Sequence, residues 1–197
     1  LSQNQLNKNM GNIKEAVGVI GVNLNKMSSL ISNFKKMAVG QSNLEVSEFS
    51  LYDAVSSLLD SLYPEVRKHN VKIYNNVPKQ LSVNSYVGDY YQLFTNLVLN
   101  SLNHAFQNKK SGEILISANV QGHTLIMEVS DNGDGIDKNI IEKIFEPFFT
   151  TKRGKGGTGL GLNIVYNIVS QKLGGSIEVF SELEHGCRFV MSVPHNP

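Results

Sequence analysis

A predicted helix between Tyr86 and Phe106 carries polar side chains at a spacing that could hold a nucleotide and its metal ion. Asn96, Asn100 and His104 lie four residues apart, so they share one face of a helix that is otherwise rich in leucine. Polar groups on a largely apolar helix are costly unless they have partners. Asparagine carbonyl oxygens suit a hard cation such as Mg²⁺, which binds a nucleotide partly through its phosphates. A solvated helix face is the simpler interpretation, and the surrounding leucines and valines disfavour it.

A second stretch, from Asp131 to Ile136, reads Asp-Asn-Gly-Asp-Gly-Ile and follows an alternating apolar run that predicts a strand. Gly133 and Gly135 allow a tight turn and let a flat ligand approach the main chain where a Cβ would clash. The Asp131 carboxylate, at the strand end, could accept the exocyclic amine of a purine. Asp-Asn-Gly is also ordinary turn chemistry, so this stretch alone does not decide for a nucleotide.

A third stretch, residues 150–162, is rich in lysine and glycine and leads straight into a predicted helix. Its glycines expose backbone N–H groups, and a helix N-terminus adds the positive end of its dipole. Lys152, Arg153 and Lys155 supply positive charge, which predicts an anion site suited to a triphosphate. A flexible loop without a ligand remains the alternative. The sequence contains neither the P-loop pattern nor the protein-kinase motif set.

The elements that must position these groups show no regular strand–helix–strand alternation. Strands are predicted over 44–50, 71–74, 113–121, 123–130, 176–181 and 188–193. Helices are predicted over 51–69, 86–106, 138–145 and 160–173. This order predicts an α+β fold with one mixed sheet.

Residues 6–38 carry an unbroken heptad stripe. Its apolar positions are Leu6, Met10, Ile13, Val17, Ile20, Leu24, Met27, Ile31, Phe34 and Ala38. This spacing is typical of a helix that packs in a bundle or coiled coil. Gly40 to Asn43 would end the helix, which predicts one domain over residues 1–42 and a second over residues 43–197.

Composition excludes several classes of protein. The 197 residues have a formal net charge of +1, which gives no reason to expect nucleic acid or a membrane surface. No run approaches the ~20 apolar residues of a membrane span. The single Cys187 excludes an intrachain disulfide and fits a reducing compartment, so we expect a cytoplasmic domain. Because the chain begins at Leu1, we expect a piece of a longer protein. Whether that protein has a membrane anchor elsewhere stays open.

Residues 44–194 resemble the catalytic and ATP-binding domain of bacterial sensor histidine kinases, whose superfamily includes DNA gyrase B, the mismatch-repair ATPases and the heat-shock chaperone ATPase. Four boxes match in order. They are Asn96-Leu-Val-Leu-Asn100-Ser-Leu-Asn-His104-Ala (asparagine box), Asp131-Asn-Gly133-Asp-Gly135-Ile (first glycine box), Ile144-Phe-Glu-Pro-Phe-Phe149 (phenylalanine box) and Gly157-Thr-Gly159-Leu-Gly161-Leu (second glycine box). The resemblance implies a Bergerat-type two-layer sandwich of a mixed sheet and helices. The heptad helix resembles the second helix of the dimerisation and phosphotransfer domain that precedes it.

The resemblance also implies ATP and Mg²⁺ as cofactors and assigns roles by position. Asn96 and Asn100 would be catalytic, with Asn100 holding Mg²⁺ and Asn96 beside it near the phosphates. Asp131 would accept the adenine amine, and Gly133 and Gly135 would let the base approach. The further positions implied to contact the nucleotide are Asn103, His104, Ile136, Lys143, Phe148, Thr151, Lys152, Gly157, Thr158, Gly159, Leu160, Gly161 and Leu162.

Two positions depart from the family pattern. Asn103 stands where many of these kinases have lysine or arginine, so one phosphate contact is either missing or supplied by the 150–157 lid. The family's acceptor histidine has no counterpart among His69, His104, His123, His185 and His195. The resemblance therefore implies a kinase core that transfers the γ-phosphoryl group of ATP to a histidine upstream of this chain. It further implies relay to the receiver domain of a response regulator and a homodimer formed through residues 6–38.

Two other functions stay open at this point. One is an ATPase of the gyrase, mismatch-repair or chaperone kind, whose asparagine box begins with a glutamate that acts as general base. Asn96 stands there and cannot take a proton at neutral pH. The other is a nucleotide-binding regulatory module without catalysis, or an anti-sigma serine kinase, whose domains generally lack a long heptad helix.

Overall fold

The computed structural model describes residues 45–109, 111–152 and 157–195. The predicted heptad helix over 6–38 and the predicted boundary at residues 40–43 lie outside the described residues. The division into two domains therefore stays a prediction.

Within the described residues, seven strands form two sheets. They are β1 (Ser47–Ser50), β2 (Val71–Asn76), β3 (Ser82–Ser85), β4 (Gly112–Gln121), β5 (Thr124–Asp131), β6 (Ser176–Glu182) and β7 (Gly186–Pro194). The larger sheet has the order β2-β4-β5-β7-β6, in which β2 and β4 are parallel and the other pairs antiparallel. Alternate residues of β4, β5 and β7 are buried, because one face of this sheet is covered and the other is open. The predicted mixed sheet is confirmed.

Helices cover that buried face. They are α1 (Leu51–Val66), α2 (Val87–His104) and α3 (Gly161–Asn167), which continues into a π-helical turn, Ile168–Lys172. Leucines of α2 at positions 93, 97 and 102 are buried in the common core, together with Met127 of β5 and Phe189 of β7. The result is the expected α+β sandwich of two layers. None of the helices in the described ranges is long and apolar enough to cross a membrane.

The sequence analysis predicted one mixed sheet and did not foresee a second, two-stranded sheet. β1 pairs antiparallel with β3, a strand that the sequence analysis missed, and the two form a separate two-stranded sheet. β3 reads Ser-Val-Asn-Ser and has little strand propensity of its own. Its partner lies about thirty residues earlier in the chain, so a local pattern could not reveal the pairing.

The predicted helix over 138–145 is wrong. This segment forms only a 3₁₀ turn, Ile141–Lys143, flanked by further turns. The Lys143 and Glu146 amides donate to the Ile140 and Lys143 carbonyls at 2.9 and 3.0 Å, which are i→i+3 bonds. A segment this short does not offset the cost of helix nucleation, and successive tight turns replace the helix.

Candidate functional site

A cavity of about 460 Å³ lies between α2, the segment that follows β5, and the residues that precede α3. Its wall is formed by Asn96, Leu99, Asn100, Asn103, His104, Gln107, Asn108, Asp134, Gly135, Ile136, Asp137, Ile140, Ile144, Phe149, Thr150, Thr151, Gly157, Thr158, Gly159, Gly161 and Leu162. The three sequence stretches that carry polar and glycine signatures therefore meet at one place.

On the α2 side, the cavity is lined by the amide side chains of Asn96, Asn100 and Asn103. Asn96 donates through Nδ2 to the Gln92 carbonyl at 2.8 Å, which leaves its side-chain oxygen free on the cavity side, close to Gly161. Asn100 lies one turn further along and makes no side-chain hydrogen bond to any other described residue. Because an amide oxygen without a protein donor is available for a ligand, this face can hold a cation or a hydrogen-bond donor.

His104 lies at the C-terminal end of the same face, and its surroundings favour the neutral imidazole. Burial lowers the pKa of His104, and the positive charge of Lys152 lowers it further. Lys152 donates to the Asn103 backbone carbonyl, which places the ammonium group at the C-terminal end of α2. His104 can therefore offer one donor and one acceptor to a ligand, while the cation on this side is Lys152.

Asp131 lies at the end of β5, and its contact with adenine stays a prediction. It does not form part of the wall of the main cavity but lines a second depression, of about 650 Å³, together with residues of β6 and β7. Its Oδ1 accepts from the Gly133 and Cys187 amides at 3.0 and 3.3 Å, and its Oδ2 accepts from the Ser101 hydroxyl at 2.8 Å. Burial raises the pKa of Asp131, and these three hydrogen bonds oppose the rise. The segment 134–141 contributes residues to both the main cavity and the second depression, and it lies between them.

The two glycines after Asp131 have structural reasons that do not involve a ligand. A Cβ on Gly133 would lie 2.3 Å from the Ala105 carbonyl oxygen. Gly135 has a φ of +75°, and its Cβ would lie 2.1 Å from the Glu182 carbonyl oxygen. Close backbone packing alone thus requires both glycines, whatever the site binds.

The turn after β5 also holds the segment that follows α2. Asp134 Oδ2 accepts from the Gln107 and Asn108 amides, both at 3.1 Å, and from Asn108 Nδ2 at 3.2 Å. This carboxylate therefore fixes the loop that follows α2 against the turn. Gln107, Asn108 and Asp134 consequently stand together in the cavity wall, which the sequence analysis did not foresee.

The glycine-rich loop forms the remaining side of the cavity. Thr150 Oγ1 accepts from the Lys152 amide at 3.1 Å, and a Cβ on Gly157 would lie 2.5 Å from the same oxygen. The two ends of the loop are thus packed together. The predicted cations Arg153 and Lys155 lie outside the described residues.

Several residues predicted to contact a nucleotide lie elsewhere. Gly133 packs against α2, Lys143 is exposed on the 3₁₀ turn, and Leu160 is buried in the core. Phe148 is 59% exposed, has a φ of +65° and does not line the cavity. Phe149 takes its place in the wall. The roles proposed for these positions stay predictions, but none of them forms the wall in this structure.

The sequence analysis also missed part of the apolar wall. The predicted residues Ile136 and Leu162 do line the cavity, whereas Leu99, Ile140, Ile144 and Phe149 were not among the predicted contacts. The spacing of four between the two isoleucines was an available signal, since it put both on one side of the predicted 138–145 helix. A cavity with an apolar side and an amide-rich side suits a ligand with a flat apolar part and a polar tail.

Comparison with known proteins gives this site a family. The model described as "Histidine kinase-, DNA gyrase B-, and HSP90-like ATPase" matches residues 87–197. The autoinducer 2 sensor kinase/phosphatase LuxQ of Vibrio vulnificus is 34% identical over 176 residues, which are 83% of this chain and 20% of that relative. This chain therefore spans about a fifth of the length of that curated relative.

Two solved structures share the fold. The nucleotide-free catalytic domain of histidine kinase ThkA is 30% identical with a TM-score of 0.67, over 77% of this chain and 96% of that one. Histidine kinase ThkA in complex with the response regulator protein TrrA is 25% identical with a TM-score of 0.69, over 94% of this chain and 52% of that one.

Proposed function

Because the chain belongs to the family of histidine kinase-, DNA gyrase B- and HSP90-like ATPases, we propose that residues 43–197 are the ATP-binding kinase core of a sensor histidine kinase. The reaction is transfer of the γ-phosphoryl group of ATP to a histidine on a preceding segment. The sensor kinase LuxQ and the histidine kinase ThkA, both at least 30% identical, support this class over its alternatives.

The observation that carries the proposal is the row of amides at 96 and 100, which lines one cavity together with Gly159 and Gly161. The Asn100 oxygen, which has no donor among the described residues, fits Mg²⁺, a cation that takes oxygen ligands and keeps several waters and phosphate oxygens around it. The described residues contain no group of three or more His, Cys, Asp or Glu side chains that could hold a metal, so such an ion would depend on the nucleotide as well. When bound, Mg²⁺ would neutralise the charge that develops on the transferred phosphoryl group.

The chain's own contribution is to position the nucleotide, and positioning supplies most of the catalysis in phosphoryl transfer. Asn96 and Asn100 orient the phosphates from α2, and the Gly159 and Gly161 amides contact them from the segment that leads into α3. Lys152, which bonds to the Asn103 carbonyl, supplies the positive charge that a lysine or arginine at position 103 would otherwise give. Asp131 accepts the adenine amine, with the base entering beside residues 134–141.

Hydrolysis of ATP by water is disfavoured because Asn96 stands where the ATPases carry the glutamate that activates water. Asn96 has no basic group. Asp134 is engaged by three N–H donors at one oxygen, and Asp137 Oδ1 accepts from the Asn139 amide at 2.8 Å. Both carboxylates therefore serve the turns that they close, which favours a kinase over the ATPase alternative.

The proposal includes two protein partners. The receiver domain of a response regulator is one, and the complex of ThkA with the response regulator TrrA supports it. A second copy of the chain is the other, paired through residues 6–38, whose heptad stripe is the basis for this part of the proposal.

The test is phosphoryl transfer to a second protein. This chain is mixed with a separate protein that carries the upstream acceptor helix, and with ATP radiolabelled at the γ-position. We expect label on the acceptor protein that is lost in acid, as phosphohistidine requires. We expect none on the chain alone, and none from Asn100→Ala.

Each other result selects a different function. Rapid release of labelled phosphate without an acceptor would identify an ATPase. Nucleotide binding without label on any partner, or label that resists acid, would favour the regulatory module or a serine kinase.

A further inference from the structure

Ser101 is a buried polar residue of α2 whose hydroxyl bonds outside its own helix. It is 2% exposed, and its Oγ donates to Asp131 Oδ2 at 2.8 Å. Serines in helices commonly donate to the carbonyl one turn earlier. Ser56, Ser61 and Ser170 do so here, to the carbonyls of Tyr52, Leu58 and Tyr166. Ser101 instead joins α2 to the end of β5, next to Asn100.

This bond decides how many donors the Asp131 carboxylate can still accept. A carboxylate offers two acceptor directions on each oxygen. On Oδ1 both are taken, by the Gly133 and Cys187 amides, and on Oδ2 one is taken by Ser101. One direction therefore remains. It suits a ligand that presents a single N–H donor.

Purines differ in this respect. Adenine presents one exocyclic amine beside a ring acceptor. Guanine presents a ring N–H and an amine side by side, which match the two oxygens of a free carboxylate. A carboxylate with three of its four acceptor directions already occupied can take the first pattern but not the second.

We propose that Ser101 is a positioning residue that orients the Asp131 carboxylate so that its remaining acceptor direction on Oδ2 meets the adenine amine, while the Gly133 and Cys187 amides on Oδ1 keep guanine from bonding through both oxygens. The proposal rests on the proposed function, because it assumes that Asp131 receives the base. It adds a determinant of purine selectivity in a buried serine that does not line the main cavity.

Charge around Asp131 gives the proposal a second readout. Burial raises the pKa of Asp131, while the Ser101 hydroxyl and the nearby Lys109 ammonium lower it. Burial likewise raises the pKa of the facing Cys187 thiol, to about 12, so the thiol stays neutral. Other charged or titratable groups that line the depression beside Asp131 are Lys138, Glu182, His185 and Arg188. Removing the Ser101 hydroxyl takes away a donor to the ionised form, so protonation of Asp131 should begin at higher pH.

The experiment measures dissociation constants of Mg-ATP and Mg-GTP by calorimetry for wild type, Ser101→Ala, Ser101→Cys and Ser61→Ala. We expect Ser101→Ala to weaken ATP binding about tenfold, the scale of one hydrogen bond to a charged group. GTP binding should change less than about twofold, so selectivity falls. The acid limb of the ATP affinity profile should move to higher pH. Ser61→Ala removes a helical hydroxyl in α1 and should leave all three measures unchanged.

Ser101→Cys keeps the shape of the site with a weaker donor, and it carries the test if Ser101→Ala does not fold. Its affinity should lie between those of wild type and Ser101→Ala. Equal loss of ATP and GTP affinity in either variant, or an unmoved acid limb, would overturn the role of Ser101 while the proposed function stands. Failure of wild type to bind ATP would instead remove the proposed function itself.

Discussion

The Phe148 amide donates to the Gly159 carbonyl at 2.9 Å, and both residues have left-handed backbones, with φ of +65° and +68°. A Cβ on Gly159 would lie 2.4 Å from the Phe148 carbonyl carbon. This contact joins the residue before the loop 149–158 to the residue after it. The loop that lines the cavity is therefore closed at its base by backbone packing, and Phe148, a bulky residue with positive φ, is held there at a cost in strain.

Gly159→Ala should destabilise the domain by about 1–3 kcal/mol, because it adds a strained φ and a clash with backbone that cannot turn aside. Urea unfolding without nucleotide measures this. Gly161→Ala is the matched control, since its Cβ would meet only Asn96 Oδ1, at an ordinary 3.5 Å. It should keep the stability of the domain and reduce ATP affinity. Similar free energies of unfolding for the two variants would contradict the closure at Phe148.

Asn100→Ala should abolish the Mg²⁺ dependence of ATP binding. The side chain has no described protein partner, so its loss should leave the fold intact and remove one oxygen ligand from the metal. ATP titrations with Mg²⁺ and with a chelator should differ for wild type and agree for the variant. Asn119→Ala, on an exposed position of β4, is the control and should behave as wild type. A variant that still responds to Mg²⁺ would assign the metal to other residues.

Asp131→Asn should weaken ATP binding roughly 5- to 150-fold, because loss of the buried acceptor for the adenine amine costs ~1–3 kcal/mol of binding free energy. The same substitution should increase the free energy of unfolding relative to wild type once the pH is high enough to ionise Asp131. Burial raises the pKa of Asp131 above its unfolded value, so the protonated form favours folding. That contribution is present at low pH and is lost as the pH rises through the folded-state pKa.

An amide at position 131 does not ionise, so the variant should gain stability over wild type as the pH rises above the ordinary aspartate pKa of about 4. Urea unfolding at several pH values gives this difference. The contributions of titrating groups that both proteins share, such as His104, cancel in this difference between variant and wild type. A constant difference across the range would show that Asp131 does not titrate as a buried carboxyl.

Charged substitutions at Ile20 and Leu24 should convert a self-associating chain into a monomer. Both residues lie on the heptad stripe of residues 6–38, and an apolar stripe of that length is an association surface. Sedimentation velocity over a range of concentrations measures the effect. Ser29→Glu, on the opposite side of the same heptad, should leave the assembly unchanged. Wild type that is already monomeric at high concentration would refute the pairing.

The sequence by itself determined the amide face of the site. Asn96, Asn100 and His104 had to share a side of α2 because the helical period alone puts residues four apart on one face. The alternating strands β4, β5 and β7 followed from the same kind of local rule, since a period of two separates a buried face from an open one. Order and spacing of four short motifs then identified the family, which the comparisons confirmed.

Tertiary structure alone decided features that depend on distant segments coming together. The pairing of β1 with β3 joins residues that no local pattern relates. The glycines at 133 and 135 are required by the Ala105 and Glu182 carbonyls, which approach from other elements. The bond from Ser101 to Asp131 spans thirty residues, and it changes what that carboxylate can still accept. Such contacts are set by the packing of a helix on a sheet, a relation that neither propensity nor periodicity contains.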